Sequence, residues 1–156
     1  MRRATAVHPK GRWPEGEARG TVTLGFLDRH RRRLRLEADD GIPFLLDLPR
    51  AIRLGAGDGL ELEEGGYLKI CAAAEELAEI TCRDAMLLAR IAWHLGNRHL
   101  PVEIAGDRLR IRWDHVIAEM VAGLGAEIRR VDAPFDPEPG AYAESGHAHH
   151  DHEHAH

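Results

Sequence analysis

The sequence has few cysteines and no long apolar segment. Among its 156 residues are two cysteines, Cys71 and Cys82, whose spacing fits neither a disulfide framework nor a zinc motif. No apolar run approaches the length of a membrane-spanning helix, and the basic N-terminal residues are not followed by the apolar stretch of a signal peptide. We therefore expect a cytoplasmic protein in reducing surroundings, without a membrane partner.

Motifs that identify common classes of enzyme are also missing. The sequence contains no HExxH zinc motif, no glycine-rich phosphate loop, and no serine or cysteine beside a histidine and an acid in a recognised catalytic motif. The formal net charge of -5 is modest and gives no reason to expect a nucleic-acid partner. These absences favour a binding protein over an enzyme.

What is present suits a folded protein with an uneven distribution of charge. Hydrophobic residues make up 44% of the chain and charged residues 30%, proportions that support a core. From Met1 to Arg35 there are ten Arg or Lys residues against three acids, whereas the rest is acidic. Arg31, Arg33 and Arg35 alternate along one face of a predicted strand. Such a row is usually solvated, and a patch for an acidic partner is the alternative.

The N-terminal half is predicted to consist of β-strands. Residues 1–20 are rich in glycine, proline and charge, so we expect them to lie loose or along an edge. Two later segments, 21–27 and 31–38, alternate apolar and polar residues as half-buried strands do, and turn signals separate three further short strands at 44–48, 60–64 and 67–72. Pro49 is expected to end the first of these three. The pattern predicts a small β-sandwich or barrel domain over residues 1–73.

The C-terminal half alternates between strand and helix patterns. The predicted elements are strand 75–81, helix 87–95, a hairpin of 101–105 and 108–113, helix 116–124 and strand 127–131. Thr81 and Asp84 are spaced as in a capping box at the start of the first helix. The order βαββαβ is that of the ferredoxin-like fold, predicted over residues 74–143 with an extended stretch after Asp132. The whole chain is therefore expected to be α+β.

Two exposed corners of this second domain are predicted to present histidines. Gly96 fits the left-handed position just past the C-terminus of the first helix. His99 follows it, before Pro101 prevents the helix from resuming. His115 comes directly after Asp114, the predicted N-cap of the second helix.

Each of these histidines has a structural explanation beside the metal-binding one. His94, in the last turn of the first helix, is explained by the favourable position of a cation at that end. His115 is either a ligand supported by the neighbouring carboxylate or a solvated residue after an N-cap. His99 alone would be a surface residue, but two copies at the axis of a symmetric dimer would supply half of a four-ligand site. A hydrolytic metal site built from all three lacks an obvious general base.

The C-terminal residues, SGHAHHDHEHAH, are of low complexity and are expected to form a disordered tail over 144–156. Neutral imidazole is a common metal ligand, and the neighbouring Asp151 and Glu153 favour a bound cation. Six histidines make up the predicted chelating set: His147, His149, His150, His152, His154 and His156. Such ligands suit nickel, zinc and copper alike. An affinity tag is the alternative, but tags are usually uninterrupted histidine runs.

Several motifs together resemble the UreE family of urease accessory proteins, which are nickel metallochaperones. In the C-terminal half these are GNRH (96–99), DHV (114–116), GLGA (123–126), APFDPEPGAY (133–142) and the terminal histidine run. In the N-terminal half the resemblance extends through RRRLRLEADDG, LDLPRAIRLGAGD and AAAEELAEI. It therefore covers nearly the whole chain in order.

The resemblance implies a homodimer that delivers Ni2+ to the urease apoenzyme with a UreG-type GTPase and other accessory proteins. It implies an N-terminal partner-binding β domain and a main site made of His99 from both subunits, joined by tail histidines of which His147 is the best candidate. His115 would belong to a secondary site, although family members with that site carry another histidine where this chain has Arg112 and Trp113. A nickel or zinc buffer that delivers to no partner is the alternative function.

Overall fold

The computed structural model describes residues 1–140. This part of the chain contains two compact units, unit 1 (Met1–Ala72, with Pro139 and Gly140) and unit 2 (Ala73–Glu138). None of the helices formed by the described residues is long and apolar enough to span a membrane. The tail predicted over residues 144–156 lies outside the described part.

Unit 1 contains one six-stranded sheet. Its strands are β1 (Arg2–His8), β2 (Ala18–Leu24), β3 (His30–Glu37), β4 (Pro43–Arg53), β5 (Gly59–Leu62) and β6 (Tyr67–Ala72). The order across the sheet is β2-β6-β5-β1-β4-β3. Two neighbouring pairs, β1 with β4 and β2 with β6, are parallel, and the others are antiparallel.

A contact between the two edges of this sheet bends it into a half-barrel. Asp39 follows the edge strand β3, and its carboxylate accepts hydrogen bonds from the hydroxyls of Thr21 and Thr23 in the other edge strand, at 2.6 and 2.8 Å. The hydrogen bond from Thr21 is the main reason why the pKa of Asp39 lies below its usual value. Of the two predicted architectures, the barrel is thus closer to the observed fold than the sandwich, since the described residues of this unit form a single sheet.

The prediction that residues 1–20 are loose is wrong for β1. This strand lies between β4 and β5, and Ala4 is fully buried in the core of unit 1. Its arginines obscured the strand pattern. In the fold Arg3 forms ion pairs with Asp47 and Glu63, so a charged residue is accommodated within a central strand.

Pro49 does not end β4, contrary to the prediction. The pairing of β4 with β3 shifts register between Arg31 and Arg33, and Pro49 lies in the part of β4 opposite this irregularity. A residue without an N–H is tolerated at such a point because no ladder hydrogen bond is needed from it. The strand therefore continues to Arg53.

Unit 2 has the predicted order βαββαβ. Its elements are β7 (Ala74–Thr81), α1 (Ala85–Asn97), β8 (Glu103–Ala105), β9 (Arg108–Arg112), α2 (His115–Gly123) and β10 (Glu127–Pro134). The sheet is antiparallel with the order β10-β7-β9-β8, the ferredoxin-like arrangement. Both helices pack on it through apolar residues that include Leu87, Ile91, Leu95, Ile117 and Val121.

The two helices begin at aspartates. Asp114 caps α2 as predicted, and its Oδ1 accepts from the N–H groups of Val116 and Ile117 at 2.9 and 3.2 Å. The predicted Thr81 cap of α1 is wrong. Asp84 is the N-cap, accepting from the N–H of Leu87 at 2.8 Å, because β7 runs on through Thr81 and leaves the helix to start later.

Candidate metal-binding site

The C-terminal end of α1 forms a tight corner whose left-handed residue is His99. Gly96 was predicted for this role, but it lies within the helix, and His99 has a φ of 59°. The N–H of Leu100 donates to the carbonyl of Leu95 at 3.2 Å, and the N–H of His99 donates to that of Gly96 at 2.9 Å. This pair of hydrogen bonds is the Schellman motif, in which glycine normally occupies the position that His99 has here.

The corner therefore has backbone strain at a solvent-exposed imidazole. Among residues 1–140, His99 is the one non-glycine residue with a positive φ. A left-handed conformation costs an ordinary L-residue about 1–2 kcal/mol, although histidine is found there more often than most. Leu100, the next residue, packs against the core of unit 2, so the corner is anchored on its inner side. Such outliers occur often at functional sites, which supports a role for the His99 side chain.

His115 has an ordinary environment by comparison. It is the first residue of α2 and is exposed. The Oδ1 atom of Asp114 accepts two backbone N–H groups at the start of the helix. The carboxylate is thus engaged as an N-cap, which agrees with the structural explanation of this aspartate–histidine pair.

The part of the chain that the structure describes does not bring the corner histidines together as a metal site. Within residues 1–140 no group of three His, Cys, Asp or Glu side chains is placed to hold a metal ion. His94 is half-buried, and its ring lies edge-on to that of Trp93 at 5.1 Å. The hydrolytic centre considered for His94, His99 and His115 is therefore not assembled in the described part of a single chain.

The six tail histidines lie outside the described residues, but the chain that leads to them is placed close to His99. After β10, at one edge of the sheet, Phe135 is fully buried. The N–H of Glu138 then donates to the carbonyl of Val102 at 2.8 Å, just before β8 at the opposite edge. Val102 is three residues from His99, which is about 11 Å at most along the chain. The sequence analysis did not predict this contact between Glu138 and Val102. The signal was Phe135, a large apolar residue in a stretch that was predicted only to be extended.

An ion-pair network on β7, β9 and β10 was also not predicted. Glu79 is 3% exposed and accepts hydrogen bonds from Arg108, Arg110 and Arg129 at 2.8–3.0 Å. The hydrogen bond from Arg110 is the main reason why the pKa of Glu79 is lowered, and burial opposes it. The alternating arginines of β9 beside a glutamate in β7 were the signal in the sequence.

Comparison with known protein families and proteins extends over both units. A family model described as the UreE urease accessory protein, C-terminal domain, matches residues 75–156, and one for its N-terminal domain matches residues 2–73. The urease accessory protein UreE of Beijerinckia indica is 55% identical over 152 residues, covering 97% of this chain and 87% of that protein. The protein of the same name from Chelativorans sp. is 49% identical over 160 residues, covering 100% and 99%.

Proposed function

Because the chain belongs to the UreE family of urease accessory proteins, which are not enzymes, we propose that it is a metallochaperone that delivers Ni2+ to the urease apoenzyme during active-site assembly. The observation that carries the proposal is the exposed His99 imidazole at a strained, well-anchored corner. A single imidazole binds a metal weakly, so the site needs further ligands.

A second copy of His99 is the first further ligand in this proposal. One side of α1 presents Met86, Ala89, Trp93 and Gly96 to solvent, at the spacing i, i+3, i+7 and i+10 of a helix-pairing seam. Met86 is 68% exposed and Trp93 62%, which is unusual for large apolar residues. A homodimer that buries this seam, with its two-fold axis near the C-terminal end of α1, brings both copies of His99 together.

The tail histidines supply the remaining ligands. The chain passes beside the His99 corner at Glu138, and nine residues separate Glu138 from His147. Nine residues span up to about 32 Å, which is ample to return to the corner. Imidazole ligands alone do not select among nickel, zinc and copper, so Zn2+ and Cu2+ are expected to bind in vitro as well.

Delivery requires partners in the same compartment. We assign the protein to the cytoplasm, with a UreG-type GTPase and the urease apoprotein complex as its partners. Unit 1 offers a charged surface for such contacts, because Arg31, Arg33 and Arg35 are exposed on the edge strand β3. Nickel then transfers by ligand exchange when a partner presents stronger ligands.

The test is calorimetric titration of nickel into the full-length protein, His99→Ala and a form that lacks residues 147–156. We expect one tight ion per dimer in the full-length protein, loss of that step in His99→Ala, and fewer weak ions without the tail. Light scattering should show a dimer for all three. A tight step that survives His99→Ala, or one that binds one ion per chain, would place the site elsewhere.

The histidine content of the tail also favours a second function, that of a nickel or zinc buffer. Six histidines in the last ten residues exceed what one shared site needs. Capture of the GTPase and urease subunits by the immobilised full-length protein separates the alternatives. A buffer would retain neither, even when loaded with nickel.

A further inference from the structure

A pocket of about 430 Å3 lies beside the His99 corner in unit 2. Its apolar walls come from Leu100, Pro101, Ile111, Trp113 and Phe135, and Asp114 contributes a carboxylate. Leu100 and Pro101 directly follow His99, so whatever fills the pocket contacts the inner side of the corner. The remaining charged lining consists of Glu75, Glu76 and Arg112.

The chain passes close to this pocket at Glu138. The N–H of Glu138 donates to the carbonyl of Val102, the residue after Pro101 in the pocket wall. The N–H of Asp136 donates to Glu103 Oε1 at 3.3 Å, and Phe135 is buried as part of the wall itself. The segment that follows Glu138 therefore starts at the rim.

One side chain in that segment matches the pocket. Between residues 139 and 156, Tyr142 is the one Phe, Trp or Tyr, and the other apolar residues are alanines and a proline. It comes four residues after Glu138, within about 14 Å of chain. We propose that Tyr142 occupies this pocket and so fixes the root of the histidine tail to the His99 corner.

The chemistry of the lining suits a phenol. Trp113 offers a ring, one face of which is covered by the guanidinium of Arg130 at 4.2 Å. A buried tyrosine hydroxyl usually needs a hydrogen-bond partner. Asp114 uses Oδ1 for two backbone N–H groups, and a carboxylate has about four lone-pair sites, so it can also accept from the phenol. An aromatic ring without the hydroxyl would fill the same apolar walls.

The consequence for nickel, which rests on the proposed function, is a shorter tether for His147. Five residues separate Tyr142 from His147, whereas nine separate it from Glu138. Effective concentration falls roughly as the −3/2 power of tether length, so releasing Tyr142 lowers that of His147 at the corner about twofold. A twofold change in effective concentration is too small to identify the contact between Tyr142 and the pocket. The decisive measurement therefore has to report on a side chain that lines the pocket.

The experiment follows the indole N–H signals of the metal-free, full-length protein by NMR. The chain has three tryptophans, and loss of one signal in Trp113→Phe assigns that residue. Trp13 is the internal reference, because its indole N–H donates to the carbonyl of Gly57 within unit 1. We expect Tyr142→Ala to shift the Trp113 signal and leave that of Trp13 in place. Tyr142→Phe should retain most of the wild-type position.

Three outcomes would overturn the proposal. The first is a Trp113 signal unchanged by Tyr142→Ala. The second is a signal that shifts on removal of residues 147–156 but not in Tyr142→Ala, which would place a tail histidine in the pocket. The third is a signal that depends on protein concentration instead, which would indicate a second copy of the chain. Since no metal is present, failure of the nickel titration would reject the proposed function and leave this result standing.

Discussion

Unit 2 presents two exposed histidines beside helix ends, and their backbones differ. His99 has a φ of 59° in a corner closed by two hydrogen bonds, whereas His115 is the first residue of a regular helix. Asp114 satisfies the N–H groups beside His115, so that end is a common helix start. At the other end a residue with a strained backbone stands where glycine would be relaxed. The difference points to the side chain of His99 as the reason for its presence.

The sharpest test of this comparison removes the imidazole of His99 but keeps its backbone. Asparagine also tolerates the left-handed region, so His99→Asn should retain the corner. Loss of a residue that hydrogen-bonds to a metal ligand typically weakens metal binding roughly 10–100-fold, and loss of the ligand itself should weaken it more. We expect the tight nickel step in calorimetry to weaken by more than about 100-fold, while thermal melts stay unchanged. The matched control His115→Ala should keep the tight nickel step. If the step were also lost in His115→Ala, the two histidines would contribute equally to nickel binding.

A substitution in the sheet beneath both corners should destabilise the two corners alike, because it lowers the stability of unit 2 as a whole. Glu79→Gln leaves three guanidiniums with a weaker acceptor, and we expect the free energy of unfolding at neutral pH to fall by about 1–3 kcal/mol. The folded pKa of Glu79 is depressed, so its contribution is complete above the ordinary value of 4.5 and is lost as pH falls through the folded pKa. Denaturant titrations from pH 7 downward measure this difference between wild type and variant.

The control for that substitution is Glu127→Gln, at an exposed position of the neighbouring strand β10. It should change stability by no more than about 0.5 kcal/mol. A difference between wild type and Glu79→Gln that persists in strong acid would mean that packing, and not charge, explains the effect.

The helix start at His115 depends on the carboxylate beside it. Asp114→Ala removes the acceptor of two N–H groups and should lower the free energy of unfolding by about 1 kcal/mol, measured by urea denaturation. Asp114→Asn keeps a capping oxygen and should lie close to wild type. Equal losses in both variants would attribute the effect to charge instead of capping.

A similarly small effect is expected at the corner backbone itself. His99→Gly relieves the strain of a left-handed residue, whereas His99→Ala keeps it, so the glycine variant should be more stable than the alanine variant by about 1 kcal/mol. Both should lack the tight nickel step. An alanine variant as stable as the glycine variant would show that residue 99 is not held in this conformation.

Sequence reasoning found the elements of unit 2 more reliably than the residues at their ends. The apolar spacing of α1 and α2 reflects packing on one sheet, so it predicted both helices and the βαββαβ order. It placed the left-handed residue at Gly96 because glycine is the usual choice, and no local pattern marks a histidine there. The contact of Glu138 with Val102 joins residues 36 positions apart, and periodicity does not report such contacts.

In unit 1 the errors of the strand prediction have a different cause. β1 is central in the sheet, yet arginines interrupt its apolar pattern, and the acidic partners of Arg3 are more than forty residues away. Pro49 is a reasonable end of a strand when the sequence is considered alone. Its place opposite a register shift depends on how β3 pairs with β4, which only the assembled sheet determines.

The left-handed backbone at position 99 also restricts which ligand chemistry can be installed there. Apart from glycine, the residues that enter this region most readily are asparagine, aspartate and histidine. Two of these offer hard oxygen donors, suited to magnesium or calcium, and one offers a borderline nitrogen. A thiolate at this position would bear the full conformational cost. The turn geometry thus limits which residues can occupy position 99. Among those residues, histidine is the one that presents a nickel-type ligand at the end of α1 with little backbone strain.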